Sequence, residues 1–379
     1  MKTTTLKFMN RAGGWGFATL ALACVNQGDG TTAPGPPSAP TVETVRQPLA
    51  QSFAAGSFII PMDTTYQDYG MLKAYGLVYK LLANNVPVRW AIKAGKATQG
   101  VDFTASARDF QSNATISNAG YRGGPFVIDS ANRAAADPII RAWHSAGNVT
   151  TVHDATQAFT AEVRRTLTTA PRIGIFADGY EVIASLYLNA AGIPDALGQT
   201  WPTSFDQTRA YSGYPDMIDT AELAGANTSG SPDGRLLRTD GTPIYCHVSS
   251  MHYSLPMNDE VVREVRKWLE SSPYTHAFMS CEATSDFENN AAWGKFLTTG
   301  GASEDGHDIP EPLRNLVPDH PLSQFDGELE ATQGAVQSLG LNSGSAWRSG
   351  VQVLLAQTSM TSGNPTDRVM WVTGNLDGN

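Results

Sequence analysis

Cysteine is scarce in this chain, with 3 in 379 residues, so its stability has to come from a packed core rather than a dense disulfide framework. Basic clusters are missing as well, and the formal net charge is −10. That removes the electrostatic footprint of a nucleic-acid partner and leaves an acidity that serves solubility. There is no H-E-x-x-H and no close Cys/His spacing, and Asp63, Asp129, Asp178 and His252 are too scattered to define a metal site, so neither metal nor cofactor is expected. The glycine-rich "GYRGGP" (120–125) lacks the Lys-Ser/Thr of a phosphate-binding loop and precedes a strand pattern, which argues against a phosphate cradle. Internal repeats are absent. What remains is a chain with 41% hydrophobic and 16% charged residues, enough to build one large domain or two of ordinary size and unlike a disordered protein.

The first thirty residues read as an address. Lys2, Lys7 and Arg11 precede the short apolar run "GWGFATLALA", which is too short to span a bilayer as a stable helix. The run ends at Cys24 in "LALAC", which resembles the lipobox of bacterial lipoproteins, although Ala21 and Leu22 stand where that motif prefers Leu and a small residue. The resemblance makes residues 1–24 a signal peptide and lipobox and implies removal of the 23 residues before Cys24, lipidation of Cys24 as the first mature residue, export, and a membrane partner reached through the lipid; Val25 in place of Asp fits delivery to an outer membrane. Plain cleavage after Ala23, giving a periplasmic or cell-surface protein, is the competing reading. Residues 25–54, with "GDGTTAPGPPSAPTVETVRQPLAQ" at their centre, are rich in Pro, Gly and Thr and are expected to form a tether.

Beyond the tether, apolar runs alternate with helical periodicity. Strands are expected at 57–63, 86–95, 124–131, 149–156, 172–179, 242–253 and just before Cys281; helices are expected at 69–85, 132–146, 180–193, 258–272 and after Cys281. Strands written as continuous apolar runs between helices predict an α/β fold, a three-layer sandwich around a mostly parallel sheet. This domain is expected over 55–300, with a loop-rich insertion at 194–241. Residues 301–379 are expected to form an extension packed on the same domain and ending in a β-hairpin built from 350–359 and 368–378.

In open parallel sheets, ligands bind beyond the carboxyl ends of the strands. The residues at those positions are Asp63, Lys93, Asp129, His153 with Asp154, Asp178, His252, and Cys281 with Glu282. Asp63, Lys93, Asp129 and Asp154 are therefore candidate binding residues, with helix capping as the alternative for Asp129 and Asp178. Trp201, with Tyr211 and Tyr214, either lines a sugar-binding groove or anchors the long loop. "HAFMSCEATSDFENN" puts Cys281 between a strand and a helix, the arrangement of a nucleophile elbow. There a helix N-terminus is expected to lower the thiol pKa and backbone amides to hold an oxyanion. His252 is the candidate base, and Glu282 or Asp178 the group that orients it.

This strand order and the elbow "MSCEA" resemble the class I glutamine amidotransferase-like superfold over residues 55–300. Ala283 fits the family's small residue after the cysteine and Met279 departs from the one before it; the family's histidine lies downstream, where this chain has His307 and His320. The segments "IPMDTTYQDYGMLKAYGLVYKLL", "YRGGPFVIDSA", "FADGYEVIASLYLNAAGIPD" and "RVMWVTGNLDG" also resemble an uncharacterised family of exported bacterial surface proteins, which implies a surface location and no particular chemistry.

For Cys281, three roles stay open: nucleophile, inert core thiol, and disulfide partner of Cys246. In neighbouring parallel strands Cys246 at a strand's start and Cys281 past the next strand's end are separated, at ~3.3 Å per residue, beyond disulfide reach. Two functions follow. One is an exported cysteine hydrolase or amidase acting on an amide, peptide or envelope component through Cys281, His252, Glu282 and Asp178. The other is a non-catalytic surface module binding a small molecule, glycan or protein at the same edge.

Overall fold

The structure, a computed structural model, describes residues 49–67, 71–204, 211–226, 231–253, 259–306, 313–324, 337–357 and 369–376. Cys24, the signal segment, His307 and most of the expected tether lie outside the described residues. The tether's last residues do not: β1 (Leu49–Phe53) pairs antiparallel with β8 (Phe159–Leu167), so 49–53 is a strand of the first sheet rather than tether.

The amino-terminal part is an eight-stranded sheet. It also contains β2 (Phe58–Ile60), β3 (Val88–Ala91), β4 (Phe103–Asp109), β5 (Thr115–Tyr121), β6 (Phe126–Ile128) and β7 (His153–Ala155), in the order β1-β8-β3-β6-β2-β7-β4-β5. Every pairing in it is antiparallel. Helices α1 (Met71–Ala83) and α2 (Arg133–Ser145) cover one face, packing on Phe58, Ile60, Val88, Trp90, Phe126 and Ile128. The other face buries Phe53, Ile59, Phe103, Tyr121, Val127 and Phe159. Successive residues of β2 and β6 thus enter opposite cores, as the period of two demands.

A smaller parallel sheet follows, with β9 (Ile173–Phe176), β10 (Met217–Ile218), β11 (His247–Ser250) and β12 (His276–Met279) in the order β10-β9-β11-β12. On one face lie α4 (Thr220–Ala224), α5 (Asp259–Glu270) and α6 (Glu282–Asn289), which bury Leu223, Val261, Val265, Trp268 and Phe287 with Val248. On the other lies α3 (Glu181–Ala191), whose Ala184 and Leu188 pack on Ile173 and Ile175, with Leu72 and Tyr79 of α1 against the same cluster. Gly76 makes that helix contact possible, because a Cβ there would lie 1.8 Å from the Ala191 carbonyl oxygen. The stretch 194–241, expected as a loop insertion, supplies β10 and α4, the latter opened by a capping box between Asp219 and Glu222.

The carboxyl-terminal residues form a third, antiparallel sheet: β13 (Ala302–Gly306), β14 (Leu313–Asn315), β15 (Gln337–Leu341), β16 (Gln352–Gln357) and β17 (Val369–Thr373), in the order β13-β15-β17-β16-β14. β16 and β17 are antiparallel neighbours, but within a five-stranded sheet rather than as a lone hairpin.

The expected fold is therefore corrected. A mostly parallel three-layer sandwich is not what forms, since sheets of eight and five strands are antiparallel and only four strands run parallel. Continuous apolar runs predict parallel strands because such strands are buried on both faces, yet an antiparallel sheet with two covered faces writes the same runs. The crossovers themselves are present. β2 and β3, joined by α1, run in the same direction, but β6 lies between them; β6 and β7, joined by α2, are likewise separated by β2. Which strand fills such a gap is decided by contacts distant in sequence.

Candidate functional site at the carboxyl edge of the parallel sheet

Three candidate residues follow adjacent strands at the same offset: Asp178 lies two residues past β9, His252 two past β11 and Cys281 two past β12. Parallel direction and near-level register bring these strand ends to one edge, with Ser249 opposite both Ile175 and Phe278.

Cys281 sits at the junction of β12 and α6 with φ 55° and ψ −137°, a backbone region that side chains rarely enter and that costs on the order of 1–3 kcal/mol. The turn is held by its neighbours. Ser280 N–H donates to the Ser250 carbonyl at 3.0 Å, and Thr284 N–H to the Cys281 carbonyl at 3.0 Å. The thiol is half-buried, and neither Cys281 nor Cys246 is in a disulfide. Its pKa moves opposite to the expected direction. Burial pushes it up, the Glu282 backbone N–H at the helix start pulls it down, and the carboxylates of Glu282 and Glu304 push it up further. The thiol therefore rests protonated.

His252 is clasped from two sides. Its Nε2 lies 3.2 Å from Glu282 Oε2, and its ring centroid is 4.3 Å from that of Tyr180 at 60°. Among the described residues its ring bonds to Glu282 rather than directly to the thiol, so the imidazole and sulfur share Glu282 as common neighbour.

Asp178 does something other than orient that ring. It is fully buried; Oδ2 accepts from Ser250 Oγ at 2.8 Å, Met251 N at 2.8 Å and His252 N at 3.0 Å, while Oδ1 accepts from Tyr180 N at 2.9 Å. It fixes the main chain that carries both His252 and the tyrosine whose ring meets it edge-on. Beside it, Glu181 Oε2 accepts from Gly179 N at 2.5 Å, and Oε1 accepts from the Tyr211 hydroxyl.

The remaining candidates are not at this edge. In an antiparallel sheet the carboxyl ends of neighbouring strands point opposite ways, so Asp63, Lys93, Asp129 and Asp154 do not gather. Asp63 is buried after β2 and accepts from Thr65 N at 3.0 Å. Lys93 is exposed, its backbone N–H bonded to Asp102 Oδ1 at 3.0 Å. Asp129 caps the short helix Ser130–Asn132 through Ala131 N, as the capping alternative has it. Asp154 takes a two-pronged contact from Arg133, at 2.7 and 2.6 Å. Trp201 is 2% exposed, and its indole N–H donates to the Ile193 carbonyl at 2.9 Å; it anchors the loop and offers no stacking face. His320 caps the short helix Pro321–Ser323, and burial lowers its pKa to about 4.

Sequence reasoning missed Tyr180, Asp286 and Glu304. Tyr180 follows Asp178 by two residues and was legible in principle as a neighbour of the strand end. Asp286 is one helical turn beyond Glu282, on the same side of α6. Glu304 arrives from β13 of the third sheet, and nothing local in "GASEDG" signals that placement. No group of His, Cys, Asp and Glu side chains among the described residues has the geometry of a metal site. No helix among them is long and apolar enough to cross a membrane. Neither a protein-family model, nor a curated protein, nor a solved structure matches this chain.

Proposed function

We propose that this protein is an exported thiol hydrolase or amidase, tethered by lipid at Cys24, that acts on an amide, peptide or envelope component. The observation that carries the reading is the left-handed backbone at Cys281, at φ 55°. Strain of this kind persists where the surroundings over-determine it, and it concentrates at working groups. A strand, a strained residue and a helix start also aim the side chain away from the sheet, with the Glu282 backbone N–H directed at the sulfur.

The chemistry suits a protonated thiol. Sulfur attacks the acyl carbon while its proton passes to the His252 imidazole, which Glu282 stabilises as it becomes charged. The Glu282 backbone N–H, which faces the sulfur, receives the negative charge that develops on the acyl oxygen. The C–N bond breaks, His252 returns the proton to the leaving amine, and water then hydrolyses the thioester, restoring the thiol and releasing the carboxylic acid.

p-Nitrophenyl acetate tests this without knowledge of the natural substrate. Acetyl transfer should place one acetyl group on Cys281, found by peptide mass mapping, and Cys281→Ala should abolish it. His252→Gln should slow it by on the order of 10²-fold or more. Acetylation at other residues only, or an unchanged rate in His252→Gln, refutes the reading. The non-catalytic surface module has one observation in its favour, the raised thiol pKa; it requires that no acetyl reach Cys281.

A further inference from the structure

Lys96 is buried beside a carboxylate and a carboxamide, and the chemistry proposed at Cys281 uses none of the three. The side chains of Lys96 and Asp102 are 4% and 0% exposed, and Gln324 is buried with them. Lys96 Nζ lies 2.6 Å from Asp102 Oδ1 and 2.8 Å from Oδ2, and it donates to Gln324 Oε1 at 2.7 Å. One nitrogen thus touches both an acid and an acyl group.

Each partner is held in place. Lys93 N–H donates to Asp102 Oδ1 and Gly124 N–H to Oδ2, both at 3.0 Å. Gln324 closes the short helix Pro321–Ser323, and its Nε2 donates to the Pro318 carbonyl at 2.7 Å and the His320 carbonyl at 2.9 Å. Gly124, at φ 69°, forms the floor: a Cβ there would lie 2.8 Å from Gln324 Cγ and 2.8 Å from Trp90 Nε1. Trp90 is itself buried and donates to the Gly124 carbonyl at 2.9 Å, so the three groups meet in a dry place. Burying two opposite charges carries a desolvation cost that a proton moved from lysine to aspartate removes. Burial pushes the Asp102 carboxyl up against the opposing pull of Lys96. The amine left behind is a nucleophile fixed against an amide, and such proximity is equivalent to concentrations on the order of 10⁵–10⁸ M.

We infer that Lys96 and Gln324 become joined by an isopeptide bond, with Asp102 as the proton carrier. Asp102 takes a proton from the Lys96 ammonium, and the Nζ lone pair attacks Gln324 Cδ. Asp102 then gives its proton to Nε2 and takes one from Nζ. The Cδ–Nε2 bond breaks, ammonia leaves from between the Pro318 and His320 carbonyls, and Asp102 ends protonated beside a neutral amide. No oxidant or cofactor enters. The bond ties positions 228 residues apart, so it restricts the unfolded chain as a long-range disulfide would, and reductants do not open it.

Peptide mapping of the full chain tests this under reducing conditions. Trypsin does not cut after an acylated lysine, so the linked product joins 94–108 to 315–348. Its mass should be that of the two peptides together less one ammonia, with fragment ions placing the link at Lys96 and Gln324. Lys96→Arg should abolish the linked species. Asp102→Ala, in chain shown to be folded by circular dichroism, should lower the linked fraction reached in a fixed time by on the order of 10²-fold. The parent map decides the matter whatever the stability of the variants. Separate peptides 97–108 and 315–348 from the parent overturn the inference. Loss of water within 94–108 would make Asp102 the acyl group and overturn the assignment to Gln324. A folded Asp102→Ala that links as the parent does overturns the role of Asp102.

Discussion

Replacing Asp178 by Asn changes one oxygen for an NH₂ group and almost nothing in shape, so its effect isolates hydrogen bonding. All four partners of the carboxylate are donors: Ser250 Oγ, Met251 N and His252 N on Oδ2, and Tyr180 N on Oδ1. An amide offers one acceptor atom. If its oxygen takes the Oδ2 place, its NH₂ faces Tyr180 N; in the other orientation it faces three donors. With the group fully buried, water does not replace what is lost. A bond to a charged acceptor contributes about 1.5–3 kcal/mol, and a stranded donor costs about 1–3 kcal/mol. Bonds that share an acceptor do not add, which places Asp178→Asn at about 3–4 kcal/mol. At about 2–4 °C per kcal/mol, the thermal midpoint should fall by about 6–16 °C. Ser250→Ala, which removes one of the donors and leaves the acceptor occupied, should cost only about 1 kcal/mol. Differential scanning calorimetry of both variants checks the contrast. An Asp178→Asn protein that melts within a degree of the parent would show that this carboxylate does not hold the 250–252 main chain.

Three further outcomes follow from the same structure. Cys281→Gly should remove the thiol chemistry yet raise the thermal midpoint, because glycine relieves a conformation that costs on the order of 1 kcal/mol or more; a fall of several degrees would show that the turn is unstrained. Burial holds the His153 pKa down at about 4 against an ordinary 6.5, with its Nδ1 2.8 Å from the Tyr121 hydroxyl. The unfolded chain therefore takes up this proton first, so the stabilisation is complete above pH ~6.5 and declines as pH falls toward 4, by about 2 kcal/mol at pH 5. Denaturation at pH 7 and pH 5 should show a smaller loss in His153→Gln than in the parent, and equal losses would refute the assignment. For the anchor, growth of a bacterial host expressing the chain with an alkyne-tagged fatty acid should label it through Cys24, and undiminished labelling of Cys24→Ala would sink the lipidation proposal.

The elements around the thiol were legible because their signals are local. "AFMSCEATSDF" passes from apolar alternation to a helical stretch at Cys281, and the structure changes from β12 to α6 there. Gly192 ends α3 in a left-handed cap at φ 80°, as a glycine after a periodic run suggests. By contrast, β4 and β8 lie outside the expected strands. "FTASARD" and "FTAEVRRTL" alternate buried with partly exposed residues, and they look like polar loop to a search for continuous apolar runs.

What the sequence by itself determined is the position of each helix that has a clear apolar face, and the placing of a cysteine at a strand-to-helix junction; both depend on residues within a few positions of one another. Tertiary structure alone decided strand direction and neighbours, because insertion of β6 between β2 and β3 is a choice among distant partners of similar apolar character. It also decided the charge around the thiol. The helix start favours a thiolate, but burial outweighs it, joined by the carboxylates of Glu282 and, from another sheet, Glu304, and the field at an atom is the sum over everything folded near it.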